Sequence, residues 1–205
     1  MVIEKMITPY NRTRSNNKKN EYIVIHYTGN NGDTAYSNAK YFMRELAPQN
    51  KASAHYFVDE NKIYQSVEDK DIAWHVGAKK YYNDCRNENS IGIEMCSYRV
   101  GYDYFIEQGT KENTIKLTQE LMLKYNIKSD KVVRHYDVTR KICPKPFVQN
   151  EDQWESFKKE IEWVDALIEL KLAGRMTSPE YWLEKSHEIS NLRYLFMKWN
   201  EDYKK

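Results

Sequence analysis

A short apolar run, Tyr22-Ile-Val-Ile25, constrains the fold of this 205-residue chain more than any other stretch. The run is continuous and rich in β-branched residues, which indicates a strand buried on both faces. A second interior strand is predicted at Ile91-Gly-Ile-Glu-Met95, where the apolar side chains share one face and Glu94 points to the other. Helical patterns alternate with these strands. The sequence therefore predicts an α/β fold with helices on the faces of its sheet.

Four further elements are predicted before residue 150. Residues 54–58 and 62–67 flank a polar turn and predict a β-hairpin. Thr110 is the expected cap of a helix that reaches about Tyr125, and residues 131–133 are expected to form a short strand that delivers His135. Asp33 is the expected cap of an earlier helix. The apolar face of that earlier helix repeats at helical spacing; it consists of Ala35, Ala39, Phe42, Met43 and Leu46.

The character of the chain changes near residue 150. One helix is predicted from Asp152 to Gly174, a second begins at Ser178-Pro179, and a third follows near Leu192. Residues 151–205 hold 9 Lys+Arg against 12 Asp+Glu, a net charge of −3, whereas residues 1–150 have a net charge of +5. We therefore predict a main domain at residues 1–160 and a small, acidic helical appendage at residues 161–205.

The composition limits the classes of function. Hydrophobic residues make up 40% of the chain and charged residues 30%, which is typical of a soluble globular protein. The net charge of +2 is too balanced for a dedicated nucleic-acid or membrane-surface binder. No apolar run approaches the roughly 18 residues of a membrane-spanning helix, and the first residues do not resemble a secretory signal. These features predict no nucleic-acid partner, no membrane insertion and a cytoplasmic location.

Three residues with soft ligand atoms lie where strands are expected to end: His26, His135 and Cys143. Two imidazoles and one thiolate suit a zinc ion (Zn²⁺), and three protein ligands leave the fourth tetrahedral position for water, as in catalytic zinc sites. Two other interpretations remain open from spacing alone. The histidines can be structural and the cysteine a buried small hydrophobe, or Cys143 can be a nucleophile paired with His135, which leaves His26 unexplained.

A zinc-bound water also needs a proton acceptor and a positive group where an oxyanion develops. Glu94 faces away from the apolar side chains of its strand, and Tyr56 is a phenol within the predicted hairpin. Lys141 lies two residues before Cys143. Each residue also has an ordinary structural interpretation. Glu94 can lie on a solvated strand face, Tyr56 can be a core aromatic, and Lys141 can be a surface charge. Two further cysteines, Cys85 and Cys96, are expected to be inert thiols.

Six motifs occur in order with consistent spacing, and together they resemble the type-2 N-acetylmuramoyl-L-alanine amidases over about residues 20–147. This family includes phage lysins and the peptidoglycan recognition proteins. The motifs are Tyr22-Ile-Val-Ile-His-Tyr-Thr28, Ser53-Ala-His-Tyr-Phe-Val58, Ala73-Trp-His-Val-Gly77, Asn89-Ser-Ile-Gly-Ile-Glu94, Arg134-His-Tyr-Asp-Val-Thr139 and Lys141-Ile-Cys-Pro144.

The resemblance implies a central mixed β-sheet flanked by helices and assigns roles to residues that match the motifs. It implies zinc ligation by His26, His135 and Cys143, although many relatives carry Asp at the third position. Asp137 is implied as a residue that orients its loop or His135. The resemblance also implies catalytic positions at Glu94, Tyr56 and Lys141, and substrate-binding positions at His75, Trp74 and Tyr27.

The implied activity is hydrolysis of the amide between N-acetylmuramic acid and L-alanine of the peptidoglycan stem peptide. The resemblance further implies a phage or prophage endolysin of a Gram-positive host, held in the cytoplasm until it is released to the wall. A peptidoglycan recognition module without catalysis is the alternative, which the presence of Cys143 disfavours. Residues 161–205 are then a candidate wall-binding module or a homodimer interface.

Overall fold

The computed structural model describes residues 2–44, 51–189 and 191–204. Within these ranges the chain forms ten strands. They are β1 (Ile3–Lys5), β2 (Arg12–Thr13), β3 (Tyr22–Tyr27), β4 (Tyr56–Val58), β5 (Ile63–Gln65), β6 (Ile72–Ala73), β7 (Ser90–Met95), β8 (Tyr98–Val100), β9 (Asp103–Phe105) and β10 (Val132–Arg134).

The same ranges contain eight α-helices, five of which follow one another closely at the C-terminal end. They are α1 (Ala35–Phe42), α2 (Gln108–Tyr125), α3 (His135–Thr139), α4 (Lys145–Gln149), α5 (Glu151–Glu162), α6 (Val164–Leu172), α7 (Pro179–Lys185) and α8 (Leu192–Tyr203).

Six of the strands form one mixed sheet in the order β1-β5-β4-β7-β3-β10. The hairpin of β4 and β5 is antiparallel, and every other pair in this sheet is parallel. Two small antiparallel pairs, β2 with β6 and β8 with β9, lie outside it. The predicted α/β fold with a mixed central sheet and flanking helices is therefore confirmed, as are the hairpin and the two interior strands.

The register of the sheet divides its side chains between two faces. Ile25 of β3 pairs with Ile93 of β7, and both belong to the main core, which also contains residues of α2, α5 and α6. The next pair along, His26 with Glu94, points to the opposite face. Two chemically active side chains therefore lie side by side on a face that the long helix α2 does not cover.

The first two predicted helix starts are wrong by a few residues at most. Thr34, not Asp33, is the N-cap of α1, because the Asp33 carboxylate accepts hydrogen bonds from Ser97 N and Asn38 Nδ2 instead. Helix α2 begins after Glu107, and Thr110 is buried within its first turn. Met43 caps the end of α1 with 41% of its surface exposed, so it does not extend the buried face. Leu46 lies outside the described residues.

The single helix predicted from Asp152 to Gly174 is divided into α5 and α6 at Trp163. Near the division, the Glu160 carbonyl accepts hydrogen bonds from the Trp163 indole at 3.1 Å and from Gln119 Nε2 at 2.6 Å. The predicted domain boundary at residue 160 falls inside α5. Phe157 and Ile161, on either side of it, belong to the same hydrophobic core.

The C-terminal helices pack onto the main core. Leu167 of α6, Leu183 of α7 and Phe196 of α8 all belong to the same cluster as the sheet residues. The outer side of α8 exposes several apolar side chains, including 46% of Trp199. A wall-binding or dimerising role for this segment stays a prediction. Among the described helices, none combines the length and the apolar composition that crossing a membrane requires.

Candidate metal centre

Three buried side chains converge at one end of the sheet. His26 belongs to the end of β3, His135 begins α3, and Cys143 lies in the loop between α3 and α4. His26 Nδ1 is 3.1 Å from His135 Nδ1 and 3.7 Å from Cys143 Sγ. All three ligand atoms lie within 4.8 Å of one another. The structure therefore brings together the three residues that the sequence predicts as metal ligands.

Two of the three separations fit a tetrahedral ion, and the third, between the ligand atoms of His135 and Cys143, is within 4.8 Å. Metal–nitrogen bonds of about 2.0–2.1 Å and a metal–sulfur bond of about 2.3 Å place two tetrahedral nitrogens about 3.3 Å apart and a nitrogen and sulfur about 3.6 Å apart. The observed 3.1 Å and 3.7 Å are close to both values. Burial, followed by the neighbouring histidine, lowers the pKa of His26, and burial lowers the pKa of His135 to about 4. Both imidazoles are therefore neutral and able to ligate.

The third candidate ligand, the Cys143 sulfur, is protonated when no cation is bound, and so is not ready to ligate. Burial raises the pKa of the Cys143 thiol to about 12, and the Glu94 carboxylate contributes in the same direction. A bound divalent cation would have to displace this proton, because metals bind the thiolate. The donor set fits a metal ion, and ligation would release one proton from Cys143.

The turn that carries His135 is held by its neighbours. The Asp137 carboxylate accepts hydrogen bonds from the Arg134 backbone at 2.9 Å and from the Arg134 guanidinium, which closes the first turn of α3. Arg134 also donates to the Phe147 carbonyl and to Glu151. Asp137 thus fixes the start of the helix on which His135 lies, in agreement with its expected orienting role.

Glu94 lies beside the cluster on the adjacent strand. Its partner across the sheet is His26, so the two side chains share a face. The Oε2 atom is shielded from solvent and has no hydrogen-bond partner among the described residues. Burial raises the pKa of Glu94 to about 8, against the attraction of Lys141. A carboxyl group with an unused oxygen and a pKa near neutrality is suited to accept and return a proton.

A cleft of about 830 Å³ reaches the cluster at His135. His75, the exposed Lys141 and the half-buried Trp74 also line this cleft. The positive charge of Lys141 acts on the cluster, since it lowers the pKa of His135 and of Cys143. The cleft therefore offers an extended ligand the cationic Lys141, the aromatic surface of Trp74 and the candidate metal ligand His135.

Tyr27 lies at another edge of the cluster. Its backbone makes a hydrogen bond that lowers the pKa of the Cys143 thiol, and its ring packs edge-on against Tyr104 with centroids 5.4 Å apart. Burial raises the pKa of the Tyr27 phenol, and the Cys143 sulfur raises it further. The phenol is therefore protonated at neutral pH and able to donate a hydrogen bond.

Sequence comparison adds the decisive observation to this geometry. The sequence profile of the N-acetylmuramoyl-L-alanine amidase family (Amidase_2) matches residues 16–146, which is more than half of the chain. The chain belongs to this family. Its membership in a family of enzymes, which the sequence motifs predict, is therefore confirmed.

Curated members of the amidase family resemble the chain over much of its length. It is 36% identical over 171 residues to the N-acetylmuramoyl-L-alanine amidase CwlL of Bacillus licheniformis, a match that spans 80% of this chain and 46% of the relative. It is 34% identical over 139 residues to the amidase XlyA of Bacillus subtilis strain 168, with 67% of this chain and 42% of the relative covered. The chain thus spans less than half the length of these relatives.

Solved structures of related domains share the fold. The catalytic domain of XlyA superposes with a TM-score of 0.64 at 30% identity and covers 78% of this chain and 99% of that domain. The PlyG catalytic domain gives a TM-score of 0.66 at 27% identity, with 80% of this chain and 96% of that domain covered. A mutant endolysin from Bacillus subtilis gives 0.62 at 31% identity, covering 78% and 99%.

The amidase fold places one predicted catalytic residue away from the cluster. Tyr56 pairs across the sheet with Ile93, so its ring points into the main core and not to the face of Glu94. Its hydroxyl donates to the Asp69 carboxylate at 2.5 Å and accepts from Gln65 Nε2 at 3.1 Å. Burial raises the pKa of Tyr56, and the Asp69 charge raises it further. The structure assembles the other predicted site residues and leaves Tyr56 on the opposite face.

The two remaining cysteines are buried in this amidase-family chain. Burial raises the pKa of Cys85 to about 12 and also raises the pKa of Cys96. Neither thiol forms a disulfide. Protonated, enclosed thiols are poor nucleophiles, which agrees with the expectation that both are inert.

The buried His55 and the half-buried Lys18 form a pair to which the sequence motifs assign no role. His55 Nδ1 accepts the Gly92 N–H at 3.0 Å, so the proton of the neutral imidazole is on Nε2. That nitrogen is 2.9 Å from Lys18 Nζ, which also donates to the carbonyls of Asp69 and Asp71. His55 Nε2 is also 3.2 Å from the Asp71 carbonyl, so its N–H has two possible acceptors. Lys18 serves as one of them when it is a neutral amine, with two N–H donors and one lone pair. Burial accordingly lowers the pKa of Lys18 to about 7.

We expect Lys18 to make stability depend on pH between about 7 and 10.5. Because the pKa of Lys18 is lower in the folded than in the unfolded chain, the unfolded chain binds more protons as pH falls through this window. The free energy of unfolding should rise with pH by up to about 1.4 kcal/mol per unit for this one group. Urea titrations of metal-free protein at pH 7, 8 and 9 give the free energy of unfolding at each pH. This free energy should rise less steeply with pH for Lys18→Met than for wild type. The exposed neighbour gives the control Lys19→Met, and equal slopes in all three proteins would contradict the neutral amine.

Proposed function

We propose that this chain is a zinc-dependent N-acetylmuramoyl-L-alanine amidase that hydrolyses bacterial peptidoglycan. The bond cleaved is the amide between the lactyl group of N-acetylmuramic acid and L-alanine of the stem peptide. The observation that carries the proposal is the convergence of His26, His135 and Cys143 beside Glu94, whose Oε2 atom has no hydrogen-bond partner among the described residues. An open cleft reaches this group at His135. Family membership over residues 16–146 supports the bond type.

Zinc is the cation that the donor set favours. Two neutral imidazoles and one thiolate are borderline and soft ligands, which suit zinc and disfavour magnesium or calcium. When bound, zinc lowers the pKa of a water ligand to about 7 and polarises the substrate carbonyl. The cluster uses three side chains within the described residues, which is the ligand count of hydrolytic zinc sites.

The protein groups around the cluster divide the remaining work. The Glu94 carboxylate takes the proton of the attacking water at its free oxygen and returns it to the leaving amine of L-alanine. The Lys141 ammonium stabilises negative charge that develops on the carbonyl oxygen. Trp74 supports the glycan or the stem peptide in the cleft, and Tyr27 donates a hydrogen bond at the inner edge. Tyr56 acts on stability through Asp69.

We further propose that the enzyme is an endolysin. The support is its likeness to a mutant endolysin from Bacillus subtilis, which covers 78% of this chain. Such an enzyme would be held in the cytoplasm and act on the wall after release. The proposal predicts that purified protein lyses isolated Gram-positive walls more efficiently than intact cells of the same strain, as measured by the fall in turbidity.

A non-catalytic peptidoglycan recognition module is the second candidate. It would need the cleft and the aromatic wall but neither a complete ligand set nor a free carboxylate. Because Cys143 and Glu94 are both present beside the histidines, the geometry favours cleavage over binding alone.

We expect purified protein to contain about one zinc ion per chain and to lose activity when that ion is removed. Incubation with purified Bacillus peptidoglycan should release stem peptides with a new L-alanine amino terminus, detected by amine labelling and mass spectrometry. Stripping with 1,10-phenanthroline should abolish this release, and one equivalent of zinc should restore it. Full activity of a metal-free protein would refute the zinc mechanism, whereas binding to walls without new amino termini would favour the recognition module.

A further inference from the structure

A line of hydrogen bonds leads from the ligand His26 to the protein backbone. His26 directs Nδ1 to the cluster, and its other nitrogen, Nε2, is 3.0 Å from His75 Nδ1. His75 Nε2 is 3.1 Å from Ser90 Oγ, which in turn lies 2.5 Å from the Arg86 carbonyl. His26, His75 and Ser90 are all buried. Both nitrogens of His75 thus have hydrogen-bond partners within the protein.

The carbonyl at the end of this line fixes the direction of every bond. A carbonyl oxygen only accepts, so the Ser90 hydroxyl donates to Arg86, and Ser90 Oγ accepts from His75 Nε2–H. His75 Nδ1 then carries a lone pair and accepts from His26 Nε2–H. His26 Nδ1 is therefore left without a proton, as a metal ligand requires.

We propose that His75 and Ser90 are positioning residues that hold His26 in the Nε2–H tautomer and thereby prepare the cluster for its cation. The inference rests on the proposed function in taking this cluster as a metal site. Ligand histidines commonly donate their second N–H to a carboxylate, a carbonyl or water, and such partners govern ring orientation and metal affinity. Here a second imidazole fills that role, and His75 has it in addition to its place in the wall of the cleft.

A glycine on the neighbouring strand provides independent support. A Cβ atom on Gly92 would lie 2.7 Å from His75 Cγ and Nδ1, so the ring occupies the space that any side chain would need. The Gly92 N–H also holds His55, whose ring packs edge-on against His75 with centroids 5.6 Å apart. The sheet is therefore built around the His75 ring at this point, and the ring has little freedom to turn towards the cleft.

Nuclear magnetic resonance can read the tautomers directly in the native protein. In a sample with ¹⁵N-labelled histidine, two-bond ring correlations distinguish protonated from unprotonated nitrogens. We expect His26 and His75 both to be Nε2–H, in the zinc-free protein and in the zinc-loaded protein. A proton on Nδ1 of His75 would reverse the chain of donors and overturn the inference, even if the protein binds zinc and cleaves peptidoglycan.

Zinc affinity tests the consequence. Competition with a chromophoric chelator should show that His75→Leu binds zinc about 10–100-fold more weakly than wild type, the usual effect of losing such a partner. His75→Asn should recover most of this loss, since its amide oxygen can accept from His26. Gly92→Ala should also weaken binding by displacing the ring, while Gly77→Ala, whose Cβ would meet only Asn87 Nδ2 at 4.0 Å, should not.

The outcomes separate this inference from the proposed function. Circular dichroism and thermal unfolding of the zinc-free forms establish which variants fold. If wild type binds no zinc, the proposed function fails. If wild type binds zinc and folded His75→Leu binds it equally well, only the positioning role fails.

Discussion

Glu94→Gln should lower the rate of amide hydrolysis by about 10²–10⁴-fold while zinc remains bound, because general acid–base catalysis contributes on that scale. Glutamine keeps the size of the side chain and removes its ability to take a proton. The structure gives this residue a free oxygen, Oε2, on the face that holds His26. The measurement is the initial rate of new L-alanine amino termini, with zinc content determined on the same samples.

Tyr56→Phe is the matched comparison, since the sequence motifs nominate both residues for catalysis. Loss of the buried hydroxyl removes a partner from Asp69 and Gln65, which should cost about 1–3 kcal/mol of unfolding free energy. The hydrolysis rate of folded Tyr56→Phe should stay near that of wild type. A nearly normal rate for Glu94→Gln together with a large loss for Tyr56→Phe would reverse the assignment.

The different positions of Glu94 and Tyr56 show how far the alternation of side chains along a strand can predict the face of a residue. Alternation within the strand Ile91-Gly-Ile-Glu-Met95 is enough to turn Glu94 away from the core, and the structure confirms it. No comparable pattern separates the faces of Tyr56-Phe-Val58, where every residue is buried. Only the register, which pairs Tyr56 with Ile93, decides the face of the phenol, and register depends on tertiary contacts.

Positions at strand ends predict that His26 and His135 meet, whereas only the resemblance to the amidase family favours a metal site over the alternatives that spacing leaves open. Strands β3, β7 and β10 are parallel neighbours, so their carboxyl ends meet at one edge of the sheet. His26 and Glu94 lie near that edge, and His135 comes directly after β10. The order of the strands in the sheet could not be predicted from the sequence, since it depends on how the helices cover both faces.

Other features depend on contacts between distant parts of the chain. Beside the break at Trp163, Gln119 donates to the Glu160 carbonyl, 41 residues away. The role of His75 depends on where its two nitrogens point, although Gly92 in the neighbouring motif was a signal that something large lies against that strand. Nothing in the local sequence distinguishes Lys18 from other lysines, and its contacts with His55 and with the Asp69 and Asp71 carbonyls do so in the structure.

Cys143→Ala should remove both zinc and activity. Binding free energies of about 10–16 kcal/mol for four-ligand zinc sites correspond to roughly 3–4 kcal/mol per ligand, or about 10²–10³-fold in affinity. Cys143→Ser should behave similarly, because a neutral hydroxyl has nearly the size of the thiol without its anionic charge. Equilibrium dialysis against buffered zinc measures the affinity, and release of L-alanine amino termini measures the activity.

Cys143→Asp separates a ligand from a nucleophile. A carboxylate carries the same charge as a thiolate and binds zinc at about 2.0–2.2 Å, and its longer reach compensates for the shorter bond. We therefore expect Cys143→Asp to retain zinc and a substantial part of the hydrolysis rate, while Cys143→Ser loses both. If Cys143 were instead a nucleophile activated by His135, the aspartate variant would bind zinc without cleaving peptidoglycan. Because His26 Nδ1 is within 3.7 Å of the Cys143 sulfur and 3.1 Å of the His135 imidazole, a nucleophilic pair would leave that nitrogen without a function, and a shared cation gives it one.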